Sequence, residues 1–458
     1  MSTTPPNIIL INCDDLGYGD VGCYGSTLNR TPRIDSMAAE GVRFTDFYQP
    51  ASVCSPSRAG MMTGCYPKRV GLETGHEFGV LLPGDPVGLH PDEITIADVL
   101  RRAGYATALV GKWHLGDQEP FLPTNHGFDS YFGLPYSNDH YLGRPAEERT
   151  RHPTPFREHG FPPIPLMRDA EVFETEPDQS RLTARYTEEA IAFIRANTDR
   201  PFFLYLAHLY VHTPLFPPPE FLAASRNGPY GAEVECIDWS TGAILDTLAE
   251  LGIDERTLVL FTSDNGGTAR DGSSNAPLRG SKATIWEGGF REPLVVRWPG
   301  TVPAGRTCTE LATAMDFFPT FARLAGQPVP TDRDIDGRDI WPLFRSDEDA
   351  RTPYEAFYYY RINGNGLGAV RSGRWKLHLG NGALYDLEDD VGETTDVSSE
   401  HADVVARLEA LAESCRRDLG DESTGAPGDG CRPVGRVDRP RLLTWREGLN
   451  PAFDAMYD

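Results

Sequence analysis

The 458-residue sequence lacks any apolar run long enough to cross a bilayer, which requires about 20 consecutive apolar residues. Its richest apolar stretch, residues 202–206, is followed closely by His208 and His212. The first seven residues also lack the positively charged segment that precedes the apolar core of a secretory signal peptide. These absences predict a protein that neither enters a membrane nor is exported, so we expect it in the cytoplasm.

Positive charge is scarce, because 43 Lys and Arg residues stand against 67 Asp and Glu residues and the formal net charge is −24. A chain with this balance repels the phosphate backbone of DNA or RNA. We therefore expect no nucleic-acid partner. If the substrate is an anion, Lys and Arg side chains must gather around it locally to overcome the repulsion.

Paired cysteine spacing is also missing, since none of the eight cysteines belongs to a Cys-x-x-Cys motif. Scattered cysteines argue against a zinc cluster and against a dense disulfide framework. We predict that most of them are buried thiols. A disulfide between Cys415 and Cys431 is the alternative for an exported protein.

Short apolar runs alternate with segments of helical periodicity through the first 350 residues, which is the pattern of a mainly parallel sheet covered by helices. A helix is indicated at 96–103, where apolar residues recur with helical spacing before Gly104 ends it. Two more helices are expected around 187–194 and 234–248. The predicted strands are 7–11, 106–110, 202–206, 257–262 and 293–297.

Beyond residue 350 the pattern changes to Tyr-rich strands and turns, which predicts a small antiparallel sheet covered by a helix at 402–415. We therefore expect an α/β fold. A large, mainly parallel sheet sandwiched by helices would occupy residues 1–350, and a smaller C-terminal domain would occupy 351–458. The predicted strands of the smaller sheet are 356–361, 369–371, 375–379 and 383–387.

Two further segments have little periodicity. Residues 138–180 are rich in Pro, Arg and His, which indicates an elaborated loop rather than core. Residues 420–458 are rich in Gly, Pro and Arg, so we expect them to wrap the surface or to be partly disordered.

Polar side chains follow two of the predicted strands. Asp14 and Asp15 close the first strand, and Asp264 and Asn265 follow the strand at 257–262. The carboxyl ends of strands are where open α/β sheets place their ligands, and adjacent carboxylates repel each other unless a cation lies between them. Four oxygen donors favour Ca²⁺ or Mg²⁺ over zinc. Ordinary turn chemistry is the alternative for either pair alone.

The strongest local motif is Cys54-Ser-Pro-Ser-Arg58. A Pro two residues after the Cys suits the first turn of a helix, which would place Cys54 at the positive helix end with Arg58 one turn away. We expect such surroundings to lower the pKa of the thiol. A small buried cysteine at a helix start is the alternative.

Basic side chains follow other strands. Lys112 and His114 lie in Gly-Lys-Trp-His-Leu-Gly after the strand at 106–110, and they offer a fixed positive charge and a titratable nitrogen. His212 follows the strand at 202–206, and Lys282 follows the Asp264 strand. If these groups converge with Arg58 and a cation, they form a site for an oxyanion.

These motifs resemble those of the type I sulfatases, the arylsulfatase A-like branch of the alkaline phosphatase superfamily, over nearly the whole chain. The matching stretches are Asp14-Asp15, Cys54-Ser-Pro-Ser-Arg58, Gly111-Lys-Trp-His-Leu-Gly116, Pro135-Tyr-Ser-Asn-Asp139, His212-Thr-Pro214, Ser263-Asp-Asn-Gly-Gly267, Lys282 with Glu287-Gly-Gly-Phe-Arg-Glu-Pro293, Ala369-Val-Arg-Ser-Gly-Arg-Trp-Lys-Leu377, Leu384-Tyr-Asp-Leu387 and Gly392-Glu-Thr-Thr395.

The resemblance implies that a formylglycine-generating enzyme oxidises Cys54 to formylglycine, whose hydrate attacks the sulfur of a sulfate ester in an aryl or sugar substrate. It also implies that one oxygen of this residue binds the cation together with Asp14, Asp15, Asp264 and Asn265. The remaining implied roles are sulfate binding and nucleophile organisation by Lys112, Lys282 and Arg58, leaving-group protonation by His212, deprotonation of the second hydroxyl by His114, and a sulfate contact by Ser137.

Two alternatives remain open. A phosphodiesterase or phosphonate monoester hydrolase would share the fold, nucleophile and metal, and a non-catalytic protein that binds anions or glycans would keep Cys54 as a thiol. A nucleotide-binding protein is disfavoured, because the phosphate-loop spacing of Gly and Lys-Ser/Thr is missing. One departure from the family is Cys65, which stands where many members carry a basic residue, and it weakens the case for recognition by the maturation enzyme.

Overall fold

The computed structural model describes residues 5–73, 79–145, 159–363, 366–444 and 448. Among these residues the strands, in chain order, are β1 (Asn7–Cys13), β2 (Val42–Phe44), β3 (Phe47–Tyr48), β4 (Val87–Gly88), β5 (Ala106–Gly111), β6 (Ser130–Gly133), β7 (Pro165–Arg168), β8 (Glu171–Thr175), β9 (Phe202–Ala207), β10 (Thr257–Ser263), β11 (Leu294–Arg297), β12 (Arg306–Cys308), β13 (Ala312–Thr313), β14 (Phe357–Tyr360), β15 (Leu367–Ser372), β16 (Trp375–His378), β17 (Leu384–Asp386) and β18 (Gly435–Arg436). The α-helices are α1 (Pro32–Ala39), α2 (Cys54–Thr63), α3 (Ile96–Arg102), α4 (Leu182–Ala196), α5 (Pro219–Ala224), α6 (Gly228–Glu250), α7 (Glu287–Phe290), α8 (Phe317–Leu324), α9 (Trp341–Phe344) and α10 (Ala402–Leu419).

A ten-stranded sheet runs through the larger part of the molecule in the order β12-β2-β11-β10-β1-β9-β5-β6-β7-β8. Its centre is parallel, because β1 pairs in parallel with β10 and β9, β9 with β5, and β5 with β6. Antiparallel pairings occur towards both edges, at β10–β11–β2 and β6–β7–β8. The expected large, mainly parallel sheet is therefore confirmed.

The central strand β1 is buried on both faces, as expected of a parallel strand covered by helices. Successive side chains alternate between the faces. Ile8 and Leu10 therefore pack into the core that includes α3 and α8, whereas Ile9 and Ile11 pack into the core that includes α4 and α6. This alternation fixes the register of β1 between the two helical layers.

The predicted helices of this region are present, and the boundaries are close for α3, whereas α4 and α6 begin earlier in the chain than predicted. Helix α3 begins after Thr95, whose side chain accepts a hydrogen bond from the Asp98 amide in a capping box. Helix α6 buries the predicted face, including Val234, Ile237 and Ile244, against the sheet.

The prediction of a continuous loop over 138–180 is wrong in part. Strands β7 and β8 lie within it and extend the main sheet as an antiparallel hairpin. Leu166 and Met167 of β7 are buried, but so short a run beside three prolines carries no readable periodicity. Strand β8 forms the edge of the sheet, and its sequence Glu-Val-Phe-Glu-Thr does not alternate polar with apolar residues, so it gave only a weak signal. Residues 146–158 of this segment lie outside the described residues.

The C-terminal part contains the expected antiparallel sheet, in the order β14-β15-β16-β17, and helix α10 packs on it. Beyond α10 the chain returns to the larger part of the molecule, where β18 pairs with β4. The predicted wrapping of the tail over the surface is confirmed for this stretch. The part of the chain that the structure describes contains no helix with both the length and the apolar character needed to span a membrane.

Candidate active site

The register of β1 and β10 brings four oxygen-bearing side chains to one edge of the sheet. Cys13 pairs with Ser263, so Asp14 and Asp15 leave β1 beside the point where Asp264 and Asn265 leave β10. The Asp15 amide lies 3.5 Å from Asp264 Oδ1, and Asn265 Nδ2 donates a 2.8 Å hydrogen bond to Asp15 Oδ1. Asp15 adopts a left-handed backbone (φ 60°), which turns the chain sharply at the strand end.

This group of side chains fits a hard divalent cation. Asp15 Oδ2 and Asn265 Oδ1 are buried and have no hydrogen-bond partner, so both oxygens have a free lone pair. Burial raises the pKa of Asp264, reinforced by the facing Asp14 carboxylate, and a bound cation would favour the ionised form of both groups. Ligand atoms of Asp14, Asp15, Cys54 and His212 all lie within 4.8 Å of one another.

Cys54 is the first residue of helix α2, as the Pro56 spacing predicted, and it is 1% exposed. Its Sγ lies 3.6 Å from both Asp14 Oδ1 and Lys282 Nζ. The expected fall in the thiol pKa is wrong for the unmodified side chain. Burial, reinforced by the Asp14 carboxylate, raises the pKa of Cys54 to about 12 despite the helix end and the neighbouring lysines. Position 54 therefore does not present a thiolate at neutral pH.

Arg58, one turn along α2, is fully buried and directed at the carboxylates. Its Nε donates to Asp264 Oδ2 at 2.8 Å, its Nη1 donates to the Lys112 carbonyl at 2.8 Å, and its Nη2 lies 3.3 Å from Asp14 Oδ2. The planar guanidinium donates in several fixed directions, so it can hold the ends of β1, β10 and β5 at fixed separations. Arg58 therefore connects the chain segments that follow β1, β10 and β5.

Two lysines pair with the carboxylates that follow β1. Lys112, which follows β5, is fully buried and pairs with Asp14 Oδ2, whereas Lys282 Nζ lies 2.6 Å from Asp15 Oδ1 with 17% of its side chain exposed. Burial lowers the pKa of each ammonium, but the carboxylates outweigh it and hold both pKa values above the ordinary one. Both lysines are therefore charged, and they supply the local positive potential that the acidic chain needs in order to accept an anion.

His114 is buried with a left-handed backbone (φ 63°), and its Nε2 lies 2.9 Å from the Leu81 carbonyl. Since a carbonyl only accepts, Nε2 carries the proton and Nδ1 has a free lone pair, consistent with its lack of a hydrogen-bond partner. Burial and Lys112 lower the pKa of His114 well below its ordinary value. The ring is therefore neutral, with a basic nitrogen available.

His212 completes the cluster, with its Nε2 3.8 Å from Asp15 Oδ2 and 10% of its side chain exposed. Burial, reinforced by Lys282, lowers the pKa of His212. His208, four residues earlier, is separate from the cluster in its described contacts, because its Nε2 lies 3.3 Å from Ser240 Oγ. It is a fully buried core residue.

Ser137 follows β6 on a segment that is hydrogen-bonded to the His114 backbone through Pro135. Its Oγ is buried without a hydrogen-bond partner, so the hydroxyl is available to a ligand. The two residues after Asn138 were not among the predicted site residues. The Asp139 carboxylate lies 3.5 Å from His140 Nδ1 and interacts with His212, and His140 interacts with His114. The signal was the Asp-His pair that follows Ser137 and Asn138 in the sequence.

Comparison with known proteins gives a consistent result. The sequence profile of the family described as Sulfatase matches residues 6–327, and that described as N-sulphoglucosamine sulphohydrolase, C-terminal, matches residues 281–418. Human arylsulfatase A is 41% identical over 391 residues, covering 82% of this chain and 75% of the relative. N-acetylgalactosamine-6-sulfatase of Sus scrofa is 42% identical over 393 residues, covering 82% and 72%. The crystal structure of Ps i-CgsB in complex with k-i-k-neocarrahexaose superposes with a TM-score of 0.80 at 32% identity, covering 92% of this chain and 94% of that one.

These relatives correct one expectation. The prediction of a cytoplasmic protein is wrong, because the enzymes that the chain resembles are not cytoplasmic. The prediction relied on a missing basic segment at the first residues, and the point at which a sequence begins carries no information about a leader.

Proposed function

Because this chain belongs to the sulfatase family and is a sulfuric ester hydrolase, we propose that it cleaves sulfate monoesters with a formylglycine formed from Cys54, beside one oxygen-ligated divalent cation. The observation that carries the proposal is the position of Cys54 Sγ, 3.6 Å from both Asp14 Oδ1 and Lys282 Nζ. The sulfur marks where the oxygens of the oxidised residue would stand, between the carboxylates and a cationic side chain.

Asp14, Asp15, Asp264 and Asn265 would hold the cation, which we take to be Ca²⁺ with Mg²⁺ as the alternative. The donor set is all oxygen, and the two partnerless oxygens of Asp15 and Asn265 support it. When present, the cation and the aldehyde hydrate at position 54 supply an activated hydroxyl as the nucleophile. Arg58 keeps Asp14 and Asp264 in register for this role.

The lysines bind the sulfate group. Lys112 and Lys282 carry fixed positive charges beside Asp14 and Asp15, where they neutralise the sulfate oxygens and the charge that develops on them. Ser137 Oγ, buried without a partner, adds a neutral hydrogen bond. Together these groups overcome the repulsion between an anionic ester and a chain of net charge −24.

The histidines move protons. His212, the more exposed of the two, protonates the leaving alcohol, and His114 Nδ1 accepts a proton from the second hydroxyl at position 54 so that sulfate departs. A second hydroxyl allows the sulfated residue to be broken at carbon–oxygen, which a serine could not do. The neutral state of His114 supports this assignment.

The substrate class is an aryl or carbohydrate sulfate. The names of two relatives, an arylsulfatase and an N-acetylgalactosamine-6-sulfatase, span these two leaving groups. We further propose that a formylglycine-generating enzyme matures the chain, and that the chain divides near residue 350 into a catalytic and a smaller C-terminal domain.

The test has two measurements on protein co-expressed with a formylglycine-generating enzyme. Mass spectrometry of the Cys54 peptide, together with capture by a hydrazide, detects the aldehyde. Turnover of an aryl sulfate is then compared with turnover of an aryl phosphodiester and an aryl phosphonate. We expect an aldehyde and preferential sulfate cleavage. Full activity with an unmodified thiol, or a preference for the phosphorus esters, would contradict the proposal.

A further inference from the structure

A buried network of charges lies outside the site, where the C-terminal sheet meets the larger part of the molecule. Glu287, Lys376 and Glu393 are fully buried and His378 is 4% exposed. Lys376 Nζ lies 2.9 Å from Glu287 Oε1 and 2.9 Å from Glu393 Oε1, and His378 Nε2 lies 2.8 Å from the same Glu393 oxygen. No role was predicted for these residues from the sequence, although Glu287, Lys376 and Glu393 lie in the family motifs.

Glu393 holds the segment that carries Lys282 at both of its ends. Glu393 Oε2 accepts a 2.8 Å hydrogen bond from the Glu287 amide, after Lys282 in the chain. Its backbone carbonyl accepts a 2.7 Å hydrogen bond from Arg279 Nη1, before Lys282. The Arg279 guanidinium also lies 3.8 Å from the Trp286 ring centre. One residue of the C-terminal part therefore closes residues 279–287 into a loop.

Within this loop, the backbone of Lys282 and Ala283 is hydrogen-bonded to segments next to the site. The Lys282 amide donates to the Gly267 carbonyl at 3.1 Å, and the Ala283 amide donates to the Ser52 carbonyl at 2.8 Å. A lysine side chain is long and flexible, so the position of its ammonium depends on a fixed backbone. The 2.6 Å approach of Lys282 Nζ to Asp15 Oδ1 is the result.

Glu393 itself occupies an unfavourable backbone conformation, with φ 50°, which is uncommon for a residue with a Cβ atom. Such conformations persist where the surrounding structure enforces them, often near functional sites. A buried ion network alone is weak grounds for a stabilising role, because desolvation offsets much of the attraction. The left-handed backbone of Glu393 and its two hydrogen bonds to residues 279 and 287 together favour a role in positioning.

We propose that Glu393 is a positioning residue that sets the place of the Lys282 ammonium in the site, so that the C-terminal sheet contributes to sulfate binding. This inference rests on the role of Lys282 in the proposed function. An amide at position 393 cannot accept from the Glu287 amide and also face the Lys376 ammonium with an oxygen. Glu393→Gln therefore loosens the loop while nearly preserving volume.

The experiment is a double-mutant cycle on matured protein, with Glu393→Gln, Lys282→Ala and their combination. The readouts are kcat/KM for an aryl sulfate, the inhibition constant of inorganic sulfate, and the thermal midpoint. We expect Glu393→Gln to lower kcat/KM and weaken sulfate inhibition by about tenfold, as for other outer contacts of functional groups. In the Lys282→Ala background, Glu393→Gln should leave kcat/KM and the inhibition constant of sulfate unchanged. It should still shift the thermal midpoint. Glu413→Gln, whose partner Arg416 lies on the same helix at the surface, is the matched control.

A second variant guards against misfolding of the first. Arg279 is exposed, and Arg279→Met removes its hydrogen bond to Glu393 while leaving an apolar contact with Trp286. It should give the same pattern of effects with smaller changes. Arg374→Met is its control, because Arg374 is a partly exposed arginine that pairs with Asp386 within the C-terminal sheet. Equal effects of the position 279 or 393 variants with and without Lys282, or no effect on sulfate inhibition, would overturn the inference. Full activity of Lys282→Ala would instead remove the role of Lys282 from the proposed function.

Discussion

Arg58 Nε donates a 2.8 Å hydrogen bond to Asp264 Oδ2, and neither side chain has any exposure to solvent. The same guanidinium reaches Asp14 and the carbonyl of Lys112. Because an unpaired charge in such surroundings is costly, this contact links the stability of the fold to the geometry of the site.

Arg58→Met should therefore destabilise the protein by about 3–5 kcal/mol, the usual cost of removing one partner of a buried ion pair, and should abolish turnover. Chemical denaturation and aryl sulfate hydrolysis measure the two effects. Arg323→Met breaks an exposed pair with Asp339 and should cost about 1 kcal/mol or less. An equal loss of unfolding free energy in the two variants would show that the buried contacts of Arg58 do not stabilise the fold more than an exposed ion pair does.

Cys54→Ser should fold normally and lose turnover by at least about 10³-fold, since nucleophile removal has effects of this size or larger. A serine has a single hydroxyl, so a sulfate ester formed on it cannot be expelled by a neighbouring hydroxyl. Steady-state hydrolysis and mass spectrometry of the residue 54 peptide provide the measurement. Cys308→Ser, at a half-buried site, is the control and should retain activity. Turnover by the serine variant at the rate of the parent would refute the aldehyde mechanism.

Removal of divalent cations should abolish activity and lower the thermal midpoint, because Asp14, Asp15 and Asp264 then repel one another in a buried site. At a thousandfold excess of Ca²⁺ over its dissociation constant, the folded state gains about 4 kcal/mol. Thermal scans in chelator and in a Ca²⁺ series measure this. Asp15→Asn should shift the series to higher concentration. An unchanged midpoint would argue against a bound ion.

His212→Gln should reduce hydrolysis of an alkyl or sugar sulfate by about 10²–10⁴-fold, the usual contribution of a general acid. An aryl sulfate with an acidic phenol needs little protonation, so its hydrolysis should fall much less. The comparison of kcat/KM across leaving groups of graded pKa tests the assignment. His90→Gln, at a partly exposed position, should leave the series unchanged. A uniform loss across all leaving groups would assign His212 to sulfate binding.

The core histidine makes a prediction about acid stability. Burial lowers the pKa of His208 to about 3, against an unfolded value of about 6.5. The unfolded chain therefore takes up this proton first, so the contribution to stability is complete above pH 6.5 and is lost as the pH falls. The loss amounts to roughly 2 kcal/mol between about pH 7.5 and 5. His208→Gln should flatten the profile of unfolding free energy by this amount. A profile that keeps its slope would mean that other groups dominate.

The gathering of Asp14 and Asp264 could be predicted from the sequence, because parallel strands place their carboxyl ends at one edge. The hairpin β7–β8 could not, since short strands beside prolines carry no periodic signal. The thiol pKa of Cys54 was predicted in the wrong direction, because sequence shows the helix end and Arg58 but not the complete burial of α2. The hold of Glu393 on residues 279–287 joins segments more than a hundred positions apart and depends on side-chain placement alone.

The burial of helix α2 also limits when another enzyme can reach Cys54. Every residue of that helix is buried, and Cys54 is 1% exposed. If Cys54 is oxidised as proposed, the modifying enzyme would have to reach this side chain before the sheet and helices close around it. Under the proposed function, maturation would therefore compete in time with folding, and a chain that folded first would keep Cys54 as a thiol.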